Sequence, residues 1–150
     1  MSLGDSFPND LKKKFAERNI DIGNALLIKL TDLQINYDKY IIIVGVNGQE
    51  MAVAYVIINT EINQNVAPTD YLQSLHLKIE ASKHSFLEYD SFVNCSDLKE
   101  FSKEELLEFI IANPERVVGS IDTVLLTDIY LAIKNATTIL PILKKKYGFI

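Results

Sequence analysis

The chain has 150 residues, 48% of them hydrophobic and 23% charged, a length and balance that suit one folded domain and argue against wholesale disorder. Fifteen basic against 20 acidic side chains leave a net charge of -5, and thirteen of the basic residues are lysines, Arg18 and Arg116 being the two arginines. That balance argues against a dedicated DNA-packaging or polyanion-coating protein, which would be basic overall, and leaves room for a local basic groove.

Residues 8–18 are expected to form a first helix, because proline fits a first turn and Leu11, Phe15 and Ala16 fall at helical spacing. Gly23 precedes an expected strand at 25–30, and Asn36-Tyr37-Asp38 reads as a turn into a second strand at 39–46. Asn47-Gly48 is a hairpin signal, since both residues accept positive φ, and the return strand would cover 51–58. Three strands joined by short links imply an antiparallel meander. Their apolar runs are too continuous for a sheet wetted on one face, so a strongly curved sheet or small barrel, covered outside by a helix, fits them.

A polar loop at 63–68 is followed by Leu75-His76-Leu77-Lys78-Ile79, whose alternation reads as a strand. Lys83-His84 turns the chain, and another short strand is expected at 91–95. Near Ser96 the pattern changes from strands to helices. Ser102 and Glu105 form a capping box for a helix at 103–112, which Pro114 ends. Ser120 or Asp122 caps the next, with Ile121, Val124, Leu125, Ile129 and Ile133 on one face. Leu126 and Leu131 exceed one stripe, which implies two-sided burial or a dimer contact. A last helix at 138–147 has Pro141 in its first turn and three lysines favourably near its C-terminus. The expected fold class is α+β in a single domain over 1–150, with the β part at about 20–100 and a helical extension at about 101–150.

Six scattered glycines supply neither a dinucleotide-binding nor a phosphate-loop pattern, so no cofactor is expected. The single Cys95 forms no internal disulfide, and His76 and His84 lie eight residues apart, without the spacing of a helical metal pair. Cys95 beside either histidine is arithmetically a protease pair, but a lone cysteine ending a strand reads as core filling. The longest apolar run, 41–46, is strand-sized and far short of the roughly 18 residues of a membrane span. No basic stretch followed by an apolar core opens the chain, so a reducing, cytoplasmic setting is expected.

Two stretches suggest chemistry. Asn59, Thr60 and Glu61 follow directly on an apolar strand, where polar side chains leave the core for a cleft. The amide and hydroxyl suit a phosphate or base edge; alternatively they cap the strand end through local side-chain to backbone bonds. His84 is a candidate general acid or base, or else a surface histidine in a turn. Phe86, Leu87 and Phe92 read as core anchors rather than a base-stacking platform. Lys12-Lys13-Lys14 and Lys144-Lys145-Lys146 are the two basic clusters; each reads as a solvated helix face, or both together as a phosphate-binding patch if the fold joins them.

With the strands in order, the first half of the chain resembles the MazF/PemK-like family of toxins. The likeness lies in Gly23-Asn24-Ala25-Leu26-Leu27-Ile28-Lys29-Leu30, an opening glycine then strand; in Tyr37-Asp38-Lys39-Tyr40-Ile41-Ile42-Ile43-Val44, the second strand; and in 53–61, a strand ending in a hydroxyl-bearing loop. Residues 91–98 would be the later strand before a helix, and the resemblance covers roughly 20–100. It implies an SH3-like antiparallel β-barrel, commonly dimeric. Active members cut single-stranded RNA without a metal, using the RNA's own 2′-hydroxyl, and an antitoxin segment silences them.

The family uses an arginine at the start of its second strand and a threonine or serine after its third. Thr60 matches the hydroxyl; Lys39 stands in the arginine's region, beside Asp38, and Tyr40 stands where the family usually has proline. The resemblance implies Lys39 to stabilise the phosphorane and Thr60 to position the scissile phosphate; from the residues themselves, His84 is expected to transfer a proton, and Asn59 and Glu61 to bind substrate. Lysine cannot reproduce a bidentate guanidinium fork. Two functions are therefore expected: a toxin–antitoxin-related, weak, metal-independent endoribonuclease, or a non-enzymatic protein-interaction module of a phage or mobile element. The partners are correspondingly single-stranded RNA, an antitoxin or other protein, or a second copy in a homodimer. The C-terminal helices, which the compact toxins lack, would cover the groove or hold a partner.

Overall fold

In the computed structural model, which describes residues 9–29 and 38–150, the apolar run at 41–46 is the middle of a long strand, β2 (Asp38–Asn47). It pairs antiparallel with β1 (Asn24–Lys29) on one side and β3 (Ala52–Asn59) on the other. β5 (Ser91–Ser102) lies beyond β3, β4 (His76–Ile79) beyond β5, and β6 (Val117–Ser120) outside β1. These six strands make one antiparallel sheet in the order β4-β5-β3-β2-β1-β6. The described residues also hold five α-helices: α1 (Asn9–Asn19), α2 (Asp70–Ser74), α3 (Lys103–Ala112), α4 (Thr123–Asn135) and α5 (Pro141–Lys146).

The fold is α+β, built on a curled, half-barrel sheet. β4 and β6 are its two edges, yet the segment after β4 reaches the end of β6. A Cβ on Gly119 would stand 3.2 Å from the Phe86 ring, and the Asp122 backbone N–H donates to His84 Nε2 at 3.2 Å.

Strand alternation sends apolar side chains to both faces, which explains the unbroken runs. On one face Ile42, Val56, Val93 and Cys95 pack against Leu125, Ile129 and Ile133 of α4 and against Phe149. On the other, Ile41, Ile43, Val53 and Tyr55 meet Ala16 of α1, Ile20 just beyond it, and Leu106 and Ile110 of α3. Each large apolar side chain so buried contributes about 1.5–3 kcal/mol. Helices thus cover both faces, where the sequence led us to expect one.

Several elements depart from expectation. The hairpin at 47–48 forms through a four-residue link, Asn47 pairing with Ala52; the positive φ falls on Met51 (52°), not Gly48. Asn47 Oδ1 instead accepts the Glu50 N–H at 3.0 Å, closing the turn with a side chain. β5 continues to Ser102, and α2 and β6 have no counterpart in the sequence reading. Asp122 rather than Ser120 caps α4, accepting the N–H groups of Val124 and Leu125 at 2.9 and 3.2 Å. That phase turns Val124 outward, 70% exposed, while Leu126 is half-buried against the core and Leu131 is exposed. Asn36 and Tyr37 of the expected turn, with Pro8 and Leu30, lie outside the described residues. Among the described residues no helix is long and apolar enough to cross a membrane.

The end of the chain is clamped to the sheet. A Cβ on Gly45 would stand 2.8 Å from the Tyr147 ring, so glycine permits this close approach. The Tyr147 hydroxyl donates to Glu100 at 2.6 Å and Lys146 Nζ donates to the same oxygen at 2.7 Å. The Lys146 ammonium, then the Tyr147 hydroxyl, hold the Glu100 carboxyl below its ordinary range. A depressed carboxylate contributes stability that is present above its ordinary range and is lost as pH falls through the depressed value. Glu100→Gln is therefore expected to cost up to about 1 kcal/mol near neutrality, the scale of a partly exposed pair. Urea unfolding should show the gap from wild type closing as the pH is lowered towards about 3. A gap independent of pH would mean that the charge of Glu100 is not its source.

Candidate functional site

α1 and α3 cover only part of their face of the sheet. Beyond them the strand register brings polar side chains onto that same face. Ile41 pairs with Ile57, Ile57 with Asn94, and Asn94 with His76, while Lys39 and Asn59 stand two residues along from Ile41 and Ile57. Here a cleft of about 770 Å³ opens, bounded by Lys39, Ile57, Asn59, His76 and Asn94, by the chain from Thr60 to Val66, and by Asp97 and Lys99. None of the five helices contributes to its lining.

Lys39, Asn59, Thr60 and Glu61 thus share one cleft. Lys39 Nζ donates to Asn59 Oδ1 at 3.0 Å, which ties the ammonium to the neighbouring strand. Thr60 and Glu61 are exposed, and among the described residues the Thr60 hydroxyl makes no hydrogen bond. The local capping role considered for Asn59 and Thr60 is not what these side chains do. The turn further on is closed instead by Asn63, whose Oδ1 accepts the Asn65 N–H at 2.9 Å.

His84 lies outside this cleft. It is 2% exposed, so it is no surface histidine either. Its Nδ1 lies 2.8 Å from the Glu80 carbonyl and Nε2 accepts the Asp122 N–H at 3.2 Å, leaving neither nitrogen for a substrate. The bond from Asp122 joins the β4–β5 connection to the start of α4 and so helps close the curl, while the contact with Glu80 holds the ring within that connection. The histidine of the cleft is His76, 9% exposed, whose Nδ1 lies 3.0 Å from the Leu72 carbonyl. Asn94 sits beside it in register, its Oδ1 accepting the Ser96 N–H at 3.0 Å and hydroxyl at 2.5 Å. Sequence reading missed His76 although its alternation with Leu75 and Leu77 set it on the polar face of β4. The missing knowledge was the pairing of β4 with β5.

The charges of the cleft balance: Lys39 and Lys99 stand with Glu61 and Asp97, and Asp97 lies 3.4 Å from Lys99. Neither arginine lines it. Arg116 NH1 donates to Asp38 at 2.7 Å, so strand alternation turns Asp38 away from Lys39 and gives it a partner. Arg18 flanks a small apolar groove between α1 and α3. The two lysine clusters do not meet, since α1 and α5 pack on opposite faces of the sheet. The second is not a solvated face either: Lys144 is buried, Lys146 is paired with Glu100, and only Lys145 is exposed. Cys95 is enclosed in the core, where burial pushes its thiol up to about 12, a poor nucleophile. Among the described residues no three His, Cys, Asp or Glu side chains converge as a metal site would require.

No protein-family model matches the chain, and no curated protein matches it.

Proposed function

We propose that this cleft binds single-stranded RNA and cleaves it slowly, in the manner of the MazF/PemK-like toxins that the first half of the chain resembles. The half-barrel sheet would then be an opened form of their SH3-like barrel. The observation that carries the reading is that Lys39 and Thr60, which the resemblance pairs, line the same cleft, with Lys39 steadied by Asn59. The C-terminal helices do not fill the space between them. α4 packs on the far face of the sheet and none of the helices borders the cleft.

In this reading the RNA's 2′-hydroxyl attacks its own phosphorus, so the nucleophile comes from the substrate and no cofactor is called for. Lys39 faces the non-bridging oxygens as negative charge grows there, a contribution worth most where water is excluded. The Thr60 hydroxyl donates to the same phosphate and fixes its position, and Asn59 and Glu61 contact the flanking nucleotide. The balanced charge of the cleft keeps binding weak and salt-dependent. An antitoxin-like segment, or a second copy of the chain, would act by covering the cleft.

That same balance favours a second reading, a protein-interaction module without cleavage. One experiment separates them. Purified protein is incubated with mixed single-stranded RNA and the products are scored for 2′,3′-cyclic phosphate ends. Their appearance supports the nuclease, and their absence supports the module. Cleavage that survives both Lys39→Ala and Thr60→Ala would remove these two residues from the reaction.

A further inference from the structure

The geometry points to His76 as the general base of the proposed cleavage, an inference that rests on the RNA-cleaving reading of the cleft. A 2′-hydroxyl is a weak nucleophile until its proton is taken, and neither an ammonium such as Lys39 nor a hydroxyl such as Thr60 accepts it well near neutral pH. Imidazole does. His84 has both nitrogens engaged, which leaves His76 as the imidazole able to face substrate.

Its surroundings prepare it for that work. Nδ1 lies 3.0 Å from the Leu72 carbonyl, an acceptor, so in the neutral ring Nδ1 carries the hydrogen and Nε2 holds the lone pair. Among the described residues no fully buried side-chain nitrogen or oxygen lacks a partner, and among those same residues Nε2 has none. Nε2 is therefore not fully enclosed, and His76 lines the cleft. The ring is otherwise enclosed, on the edge strand β4 beside Asn94, so its orientation is set before substrate arrives. The charged groups that share the cleft are Lys39 of β2, Glu61 of the chain after β3, and Asp97 and Lys99 of β5; α2 contributes the uncharged Leu72 carbonyl.

The step balances. Nε2 takes the 2′-hydroxyl proton as the O2′–P bond forms. The P–O5′ bond breaks, and the departing 5′ oxygen takes a proton from water. A 2′,3′-cyclic phosphate and a 5′-hydroxyl result, and the imidazolium returns its proton to solvent.

The test is His76→Asn, whose side-chain amide can still donate to the Leu72 carbonyl but cannot act as a base. Cleavage of single-stranded RNA is followed from about pH 5 to 9, and affinity is measured for an all-deoxy oligonucleotide of the same sequence, which binds without reacting. The expected result is an affinity within about twofold of wild type, a rate lower by about 10²–10⁴-fold, and loss of the acid limb of the pH–rate profile. A variant that cleaves at the wild-type rate with the wild-type profile overturns the role of His76 while the RNA-cleaving reading stands. A wild-type protein that yields no cyclic ends overturns that reading and the base with it. Should the variant fail to fold, the His76 ring protons of wild type are followed by NMR as the deoxy oligonucleotide is added. Signals that move at His76 and stay fixed at His84 support the assignment, and a His76 signal unmoved at saturation overturns it.

Discussion

Replacing Lys39 with alanine is expected to slow RNA cleavage by about 10²–10³-fold, the scale of losing one preorganised donor to developing negative charge. The expectation follows from where the ammonium is held. Asn59 ties it across the β2–β3 pair, so it does not have to be ordered when substrate binds. A contact made mainly in the transition state lowers kcat and kcat/KM together, whereas one that only gathers substrate raises KM. The proposed role requires the first pattern. Lys39→Arg offers two donors in a fixed fork where lysine offers a point charge, and it is expected to equal or exceed wild type. An alanine variant within about threefold of wild type in kcat would show that Lys39 has no part in the chemical step.

Much of the cleft was legible because it lies where strands end. Asn59, Thr60 and Glu61 follow directly on an apolar run, and a strand that leaves the core delivers its next side chains to an edge. Lys39 was legible for the same reason at the opposite end of the antiparallel neighbour, and the register sets it beside Asn59. His76 needed more. It reaches the cleft only because β4 pairs with β5: Asn94, eighteen positions further along the chain, pairs with both His76 and Ile57, and local alternation does not encode that pairing.

Boundaries set by side-chain caps read correctly: Ser102 accepts the Glu105 N–H at 3.2 Å and α3 spans the expected 103–112. β6 escaped because its four residues, Val117-Val118-Gly119-Ser120, carry no alternation long enough to register and include a glycine at φ 159°. The two-sided sheet escaped for a different reason. Continuous apolar runs announce burial on both faces, but they do not say whether curvature or a second helical layer provides it.

Lys144→Met is expected to lower stability by about 2–4 kcal/mol, on the scale of leaving one buried and one partly buried carbonyl without a charged donor. Lys144 is 8% exposed, and its Nζ donates to the carbonyls of Lys134 at 2.9 Å and Ala136 at 2.6 Å. Those carbonyls belong to the C-terminal end of α4, where backbone acceptors lack helical partners and the dipole favours a cation. One ammonium thus satisfies the end of α4 and fastens α5 to it. Methionine fills a similar space but donates nothing, so the loss measures the hydrogen bonds rather than a cavity. For a chain of this length the change corresponds to a fall in Tm of very roughly 4–16 °C. Lys145→Met, one residue along on an exposed position, supplies the control and should stay within about 0.5 kcal/mol of wild type. Equal effects at the two positions would mean that general charge removal, and not the bridge to α4, sets the result. Because the cleft lies on the other face of the sheet, the Lys144 variant should keep its RNA affinity at temperatures where it remains folded.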